Sequence, residues 1–185
     1  MKNNIIAIVG MCGAGKSVAS DILEEKGYKK VYFGGVTMEK LKEEQLEVTP
    51  ENEKMMRERL RKEHGMGAFA KILLPRIKEY AAEGNTVLDG LYSWDELKIL
   101  KEEFGDDLTV IAIIADKKIR YDRISKRVIR PFTKEEVIRR DITEIENIAK
   151  AGPIAYADYY IDNNHDLDTY KKRLEEILKD VNNNE

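Results

Sequence analysis

The segment Gly10-Met11-Cys12-Gly13-Ala14-Gly15-Lys16-Ser17 constrains this chain more than any other. It fits the phosphate-loop pattern G-x-x-x-x-G-K-[ST] and carries the flanks that pattern requires. The continuously apolar Ile5-Ile6-Ala7-Ile8-Val9 precedes it and reads as a buried parallel strand. A helix-like stretch from Val18 to Glu25 follows it. Glycines at 10, 13 and 15 permit backbone angles and close approaches that a Cβ would block. The loop amides and the helix N-terminus then point at an anion. In such a loop the lysine supplies charge to the outer phosphates and the hydroxyl ligates Mg²⁺, which assigns Lys16 and Ser17. The expected phosphate-contacting set is Gly10, Cys12, Gly13, Ala14, Gly15, Lys16, Ser17 and Val18. Cys12 is the single cysteine and has no evident partner base, so it reads as loop filler rather than a nucleophile.

Strand-like and helix-like segments alternate along the rest of the chain. Further strands are expected at Val31-Tyr32-Phe33, Thr86-Val87-Leu88-Asp89, Leu108 to Ala115 and Tyr159-Tyr160-Ile161. Helices are expected over 16–26, 36–47, 51–63, 68–83, 93–103, 116–130, 133–150 and 167–181. Thr49 before Pro50 reads as an N-cap, Ser93 with Glu96 as a capping box, and Thr133 as a further cap. Gly152-Pro153 is expected to break the helix that Thr133 starts. This alternation implies an α/β fold of three layers with a five-stranded parallel sheet covered on both faces. A single domain is expected over 1–185, with its core in 1–35 and 85–185. The helical stretch of about 36–84 is too long for a simple crossover and reads as an acceptor-binding insertion.

Asp89 ends an apolar strand before Gly90, at the carboxyl end of the sheet. A carboxylate there faces the phosphate loop and can support Mg²⁺ or orient an attacking hydroxyl. Tyr92 and Trp94 follow beside it, as stacking surfaces for a flat ring or as packing. Arg120, Arg123, Lys126, Arg127 and Arg130 cluster between Ile119 and Pro131. An arginine-rich lid over about 117–140 suits the charge that develops on a transferring phosphoryl group and would exclude water. Arg123, Arg127 and Arg130 are its expected active members. Among the arginines of the insertion, Arg57 stands for a grip on the acceptor's phosphate. His64 and His165 form no metal-binding spacing and read as structural.

Composition narrows the classes. Net charge is −3, which argues against general nucleic-acid binding. No apolar run approaches the ~20 residues of a membrane span, and Met1-Lys2-Asn3-Asn4 does not open a secretory signal. One cysteine fits a reducing cytoplasm. A monomer or homodimer without membrane or nucleic-acid partners is expected.

Three segments resemble P-loop kinases of the nucleoside-monophosphate-kinase-like group. They are Gly10 to Ser17, the Asp89-Gly90 pair, and Asp122-Arg123-Ile124-Ser125-Lys126-Arg127. The last resembles the start of the lid of adenylate kinases. That resemblance implies that Arg123 stacks on the ATP base and that Arg127 contacts phosphates. Ala157 to Asn164 resembles the end of dephospho-CoA kinases, where the loop after the last strand borders the adenine. The chain as a whole is similar to dephospho-CoA-kinase-like ATPases of archaea and bacteria. What the resemblance implies is an ATP- and Mg²⁺-dependent transfer of the γ-phosphoryl group to a small acceptor, a nucleotide or nucleotide-like metabolite. Two departures stand out. Phe33-Gly34-Gly35-Val36-Thr37 lacks the carboxylate that dephospho-CoA kinases place after the second strand, and Leu91-Tyr92-Ser93 lacks the arginine that follows Asp-Gly in adenylate kinases. A nucleotide-dependent switch acting with a macromolecular partner is the alternative that these departures favour.

Overall fold

The computed structural model describes residues 3–128 and 131–183. Five strands form one sheet: β1 (Ile5–Val9), β2 (Lys29–Tyr32), β3 (Thr86–Asp89), β4 (Leu108–Ile114) and β5 (Tyr159–Asp162). Their order is β2-β3-β1-β4-β5, and every neighbouring pair is parallel. Parallel strands need crossovers, and crossovers place helices on both faces, which is why the central strand is apolar without alternation. The side chains of β1 still alternate. Ile5, Ala7 and Val9 enter one core while Ile6 and Ile8 enter the other.

The first core is covered by α2 (Gly35–Glu43), α3 (Pro50–His64), α4 (Ala68–Glu83) and α5 (Trp94–Phe104). Leu41, Met56 and Leu60 join Phe69, Leu73, Leu97 and Leu100 in it. The expected insertion is thus fused to the main core and does not stand apart from it. The second core is covered by α1 (Lys16–Glu25) and α9 (Leu167–Asn183), through Ala19, Leu23, Tyr170, Leu174, Ile177 and Leu178. A small third cluster joins Cys12 to Ile124 of α6 (Lys117–Ser125) and Val137 of α7 (Lys134–Ile148).

The expected caps form. Thr49 accepts from the Asn52 amide ahead of Pro50, and complete capping boxes join Ser93 with Glu96 and Thr133 with Glu136. Several boundaries differ from the sequence expectation. α2 stops at Glu43 because Gln45 turns to φ 56 and the Leu46 amide closes back on the Leu41 carbonyl. α6 stops at Ser125 rather than near residue 130. The break after α7 falls at Ala149, which takes φ 49, and not at Gly152-Pro153. Those two residues lie inside α8 (Ala151–Ala155). Pro153 is tolerated there because the first turn of a helix needs no intrahelical donor. No helix among the described residues is long and apolar enough to cross a membrane.

Candidate active site

β1 lies between β3 and β4, so the loop that leaves it opens on the crevice where the chain's crossovers diverge. Gly13 at φ 80 and Gly15 at φ 99 bend that loop through left-handed backbone. A Cβ on Gly13 would lie 2.7 Å from the Arg120 carbonyl, and one on Gly15 would strike the Asn163 side chain. The loop's carbonyls are engaged from outside. Arg120 Nη1 donates to the Cys12 carbonyl at 2.8 Å, Asn163 Nδ2 to that of Ala14 at 2.7 Å, and Tyr170 Oη to that of Gly15 at 3.1 Å. Lys16 Nζ donates to the Met11 carbonyl at 3.1 Å. Among the described residues, the amides of Gly13, Gly15, Lys16 and Ser17 donate to no protein acceptor. Bound carbonyls outside and free amides inside make an anion cradle. Gly10, at φ 147, would drive a Cβ into the Ile113 carbonyl, so its role is close packing of the loop on β4.

A cleft of about 640 Å³ runs from this loop past Asp89 to Tyr32 and Tyr92. Its basic lining is Lys16, Lys30, Arg123, Arg127, Arg140 and Lys150, against the acids Asp21 and Asp89. Burial pushes the Lys16 ammonium down to about 8, and Lys150 presses it in the same direction. Burial raises the Asp89 carboxyl, opposed by a hydrogen bond from Ser20 Oγ at 3.1 Å. Ser20 is the only donor to the Asp89 carboxylate among the described residues. One Asp89 oxygen is therefore left for a cation or for water-borne protons. Ser17 is exposed at the mouth of the loop. A hydroxyl and a single carboxylate fit Mg²⁺, which keeps most of its waters and takes phosphate oxygens for the rest. No cluster of three or more acidic, histidine or cysteine side chains that could cage a metal occurs among the described residues.

The lid arginines separate into different roles. Arg123 Nη2 donates to the Asn163 carbonyl at 2.8 Å, and its buried Nη1 has no hydrogen-bond partner among the described residues. It therefore lies between the phosphate loop and the loop after β5. Arg127 is exposed and reaches Cys12 Sγ at 3.7 Å. Arg120 turns away from the cleft. It is 7% exposed and makes a two-pronged ion pair with Asp141 of α7 at 2.6 and 3.2 Å. It is a latch between the loop, α6 and α7 rather than a lid cation. Arg130 lies outside the described residues.

Two expected acceptor residues are not brought to the cleft. Arg57 pairs with Glu53 on its own helix at 3.3 Å. Trp94 packs edge-on to Tyr156, with ring centroids 5.4 Å apart, and lies against Gly152. Tyr92 does line the cleft, with its hydroxyl beside Gly90. Its backbone amide is held by Glu96 Oε2 at 2.9 Å.

Comparison with known proteins agrees with this architecture. The family model described as an AAA domain matches residues 6–146. The UPF0200 protein of Sulfurisphaera tokodaii is 34% identical over 96% of this chain and 97% of its own length. The chain belongs to the UPF0200 family. Its core belongs with the AAA domain. A gluconokinase from Sinorhizobium meliloti shares the fold at a TM-score of 0.60 and 14% identity, over 98% of this chain and 95% of that one. A shikimate kinase from Bacteroides thetaiotaomicron does so at 0.60 and 13%, over 97% and 98%. The chain therefore shares its fold with these two kinases. The relatives carry the UPF0200 name rather than that of dephospho-CoA kinase, so the narrower resemblance is not carried by them.

The cleft also gathers residues that the sequence reading did not single out for it: Asp21 of α1, Lys30 and Tyr32 of β2, and Lys150. Lys30 bridges Asp21 at 2.7 Å and Glu24 at 3.2 Å. Arg140 of α7 lines the cleft as well and pairs with Glu144 at 3.0 Å. Lys150 pairs with the same carboxylate at 2.6 Å. No local pattern marks these positions, because the elements carrying them meet only in the folded chain. The one available signal was basic spacing on α7.

Proposed function

We propose that the protein is a small-molecule kinase that moves the γ-phosphoryl group of ATP to a nucleotide or nucleotide-like acceptor. The observation that carries this reading is the extent of the cleft. It continues beyond the anion cradle, past Asp89, to Tyr32, Tyr92 and Lys150, which leaves room for a second molecule beside the donor phosphates. Lys16 and the free amides would hold the β- and γ-phosphates. Ser17 and Asp89 would hold Mg²⁺, which when bound neutralises charge on the donor phosphates. Arg123 would lie against the base of the donor, and Arg127 would close on the phosphates. Asp89, with one oxygen unengaged, is the nearest group able to orient an acceptor hydroxyl. Positioning and charge stabilisation supply most of the rate in such transfers.

The test is ADP release from ATP–Mg²⁺ across a panel of ribo- and deoxynucleoside monophosphates, nucleosides and dephospho-CoA, with a control lacking acceptor. Release that depends on one acceptor supports the kinase and names its substrate. Release indifferent to every acceptor would overturn it in favour of a nucleotide switch. That second reading draws on Phe33 to Thr37, where no carboxylate faces the acceptor end.

A further inference from the structure

Lys150 is 2% exposed, yet it lines the cleft opposite the phosphate loop. Its placement is specified by the end of α7. Ala149 adopts left-handed backbone at φ 49, unusual for a residue with a Cβ, and the Lys150 amide closes on the Glu144 carbonyl at 3.1 Å. This turn sends the side chain back beneath the cleft, where Nζ meets Glu144 Oε2 at 2.6 Å and lies 5.1 Å from the centre of the Tyr92 ring.

A purely structural ion pair would balance one cation with one carboxylate. Here Glu144 also takes Arg140, so two cations share one negative charge. Burial alone would raise the Glu144 carboxyl, and Lys150 with Arg140 holds it below its ordinary value instead. Lys150 has three N–H donors, and Glu144 is its only acceptor among the described residues. A second face rests on the Tyr92 ring. The arrangement keeps an ammonium only partly balanced by the shared carboxylate in a water-poor wall, close enough to Lys16 for the two to repel. Such a pair of like charges facing one space is relieved by an anion between them.

The geometry points to Lys150 as the residue that receives a phosphoryl-type oxyanion on the acceptor side of the cleft, opposite Lys16. This rests on the kinase reading and deepens it. Two sources could supply the oxyanion: the group passing from the donor, or a phosphate that the acceptor brings. Glu144 orients the ammonium and Tyr92 floors the position.

The test follows binding of inorganic phosphate to the ADP–Mg²⁺ complex by ³¹P NMR, with and without tetrafluoroaluminate. It compares wild type with Lys150→Met, Lys150→Arg and Glu144→Gln, each checked for folding by its melting curve. Lys150→Met should weaken phosphate at least tenfold and change ADP affinity less than threefold. Lys150→Arg should restore phosphate binding to within threefold. Glu144→Gln, which frees the ammonium, should hold or tighten it. Competition by tetrafluoroaluminate assigns the position to the group in flight, and undisturbed phosphate assigns it to the acceptor. The proposal is overturned if wild type binds no phosphate beside ADP, if Lys150→Met binds it normally, or if Lys150→Met and Glu144→Gln weaken it alike. Because this readout needs no turnover, a protein that phosphorylates no acceptor but loses phosphate in Lys150→Met would sink the kinase reading alone.

Discussion

The two ends of the cleft are built by different means. At the phosphate-loop end, free backbone amides face the cleft, and side chains from α6, the loop after β5 and α9 hold that backbone by its carbonyls. At the other end, Tyr32, Tyr92, Arg140 and Lys150 present side chains from four separate places in the chain, with few bonds among them. A backbone cradle has one geometry and serves any triphosphate. A wall of side chains can be altered one residue at a time without disturbing the sheet. The difference teaches that the phosphate-loop end is set by the fold and the far end by substitutions upon it.

If the cradle depends on outside support, the largest effect comes from removing the latch. Arg120→Leu leaves Asp141 buried, with Tyr121 as its only remaining side-chain donor among the described residues. Loss of one partner of a buried pair costs about 3–5 kcal/mol. Urea unfolding should register that loss, and a double variant with Asp141→Leu should recover much of it, since an apolar replacement of both is often neutral. A cost under about 1 kcal/mol would mean that the loop holds itself and that the contrast between the two ends is overdrawn.

Lys16→Ala probes the cradle from inside. The fold should survive, because among the described residues the side chain bonds only the Met11 carbonyl. Nucleotide turnover should fall about 10²–10³-fold, the scale of losing one preorganised charge-stabilising donor. Undiminished turnover in a folded variant would move the active site elsewhere.

The same contrast explains what could be read in advance. The phosphate loop, the strand sequence and all three caps at Thr49, Ser93 and Thr133 were legible, because each is a local pattern with a local cause. Asp89 was legible as the end of an apolar strand. Arg120 was grouped with the basic cluster and given no role of its own, since its helix is basic on several faces and only its partner Asp141, 21 residues on, reveals the inward direction. Trp94 was weighed as a ring surface, yet its neighbours Tyr156 and Gly152 come from beyond α7. Lys150 carried no signal at all. A lysine after a helix reads as solvated until the left-handed turn at Ala149 is seen.

The buried ammonium of Lys16 gives the donor end a pH signature. Its folded value of about 8 lies below the ordinary 10.5, so the free protein binds fewer protons than the unfolded chain between those limits. From this group alone, stability of the free protein rises with pH across that window. Nucleotide binding runs the other way, because phosphates favour the charged form. ATP affinity should be level well below pH 8 and fall about fivefold between pH 8 and 9. Titration calorimetry at several pH values checks this. Lys150→Met, by removing a neighbouring positive charge, should shift the midpoint upward. A midpoint that stays put would separate the two ends of the cleft electrically.

Arg57→Ala should have the smallest effect. Arg57 is bonded along its own helix to Glu53 and does not line the cleft. The pair is half-exposed on its arginine side, where such i,i+4 contacts are worth about 0.3–0.5 kcal/mol. Acceptor-dependent turnover should change less than twofold, measured at limiting acceptor so that a binding defect would appear. Tyr92→Ala, in the same assay, removes the floor beneath Lys150 and should lower turnover far more. A loss in Arg57→Ala as large as in Tyr92→Ala would mean that the insertion swings α3 over the acceptor. The acceptor end would then be built by motion as well as by side chains, and its contrast with the fixed cradle would sharpen.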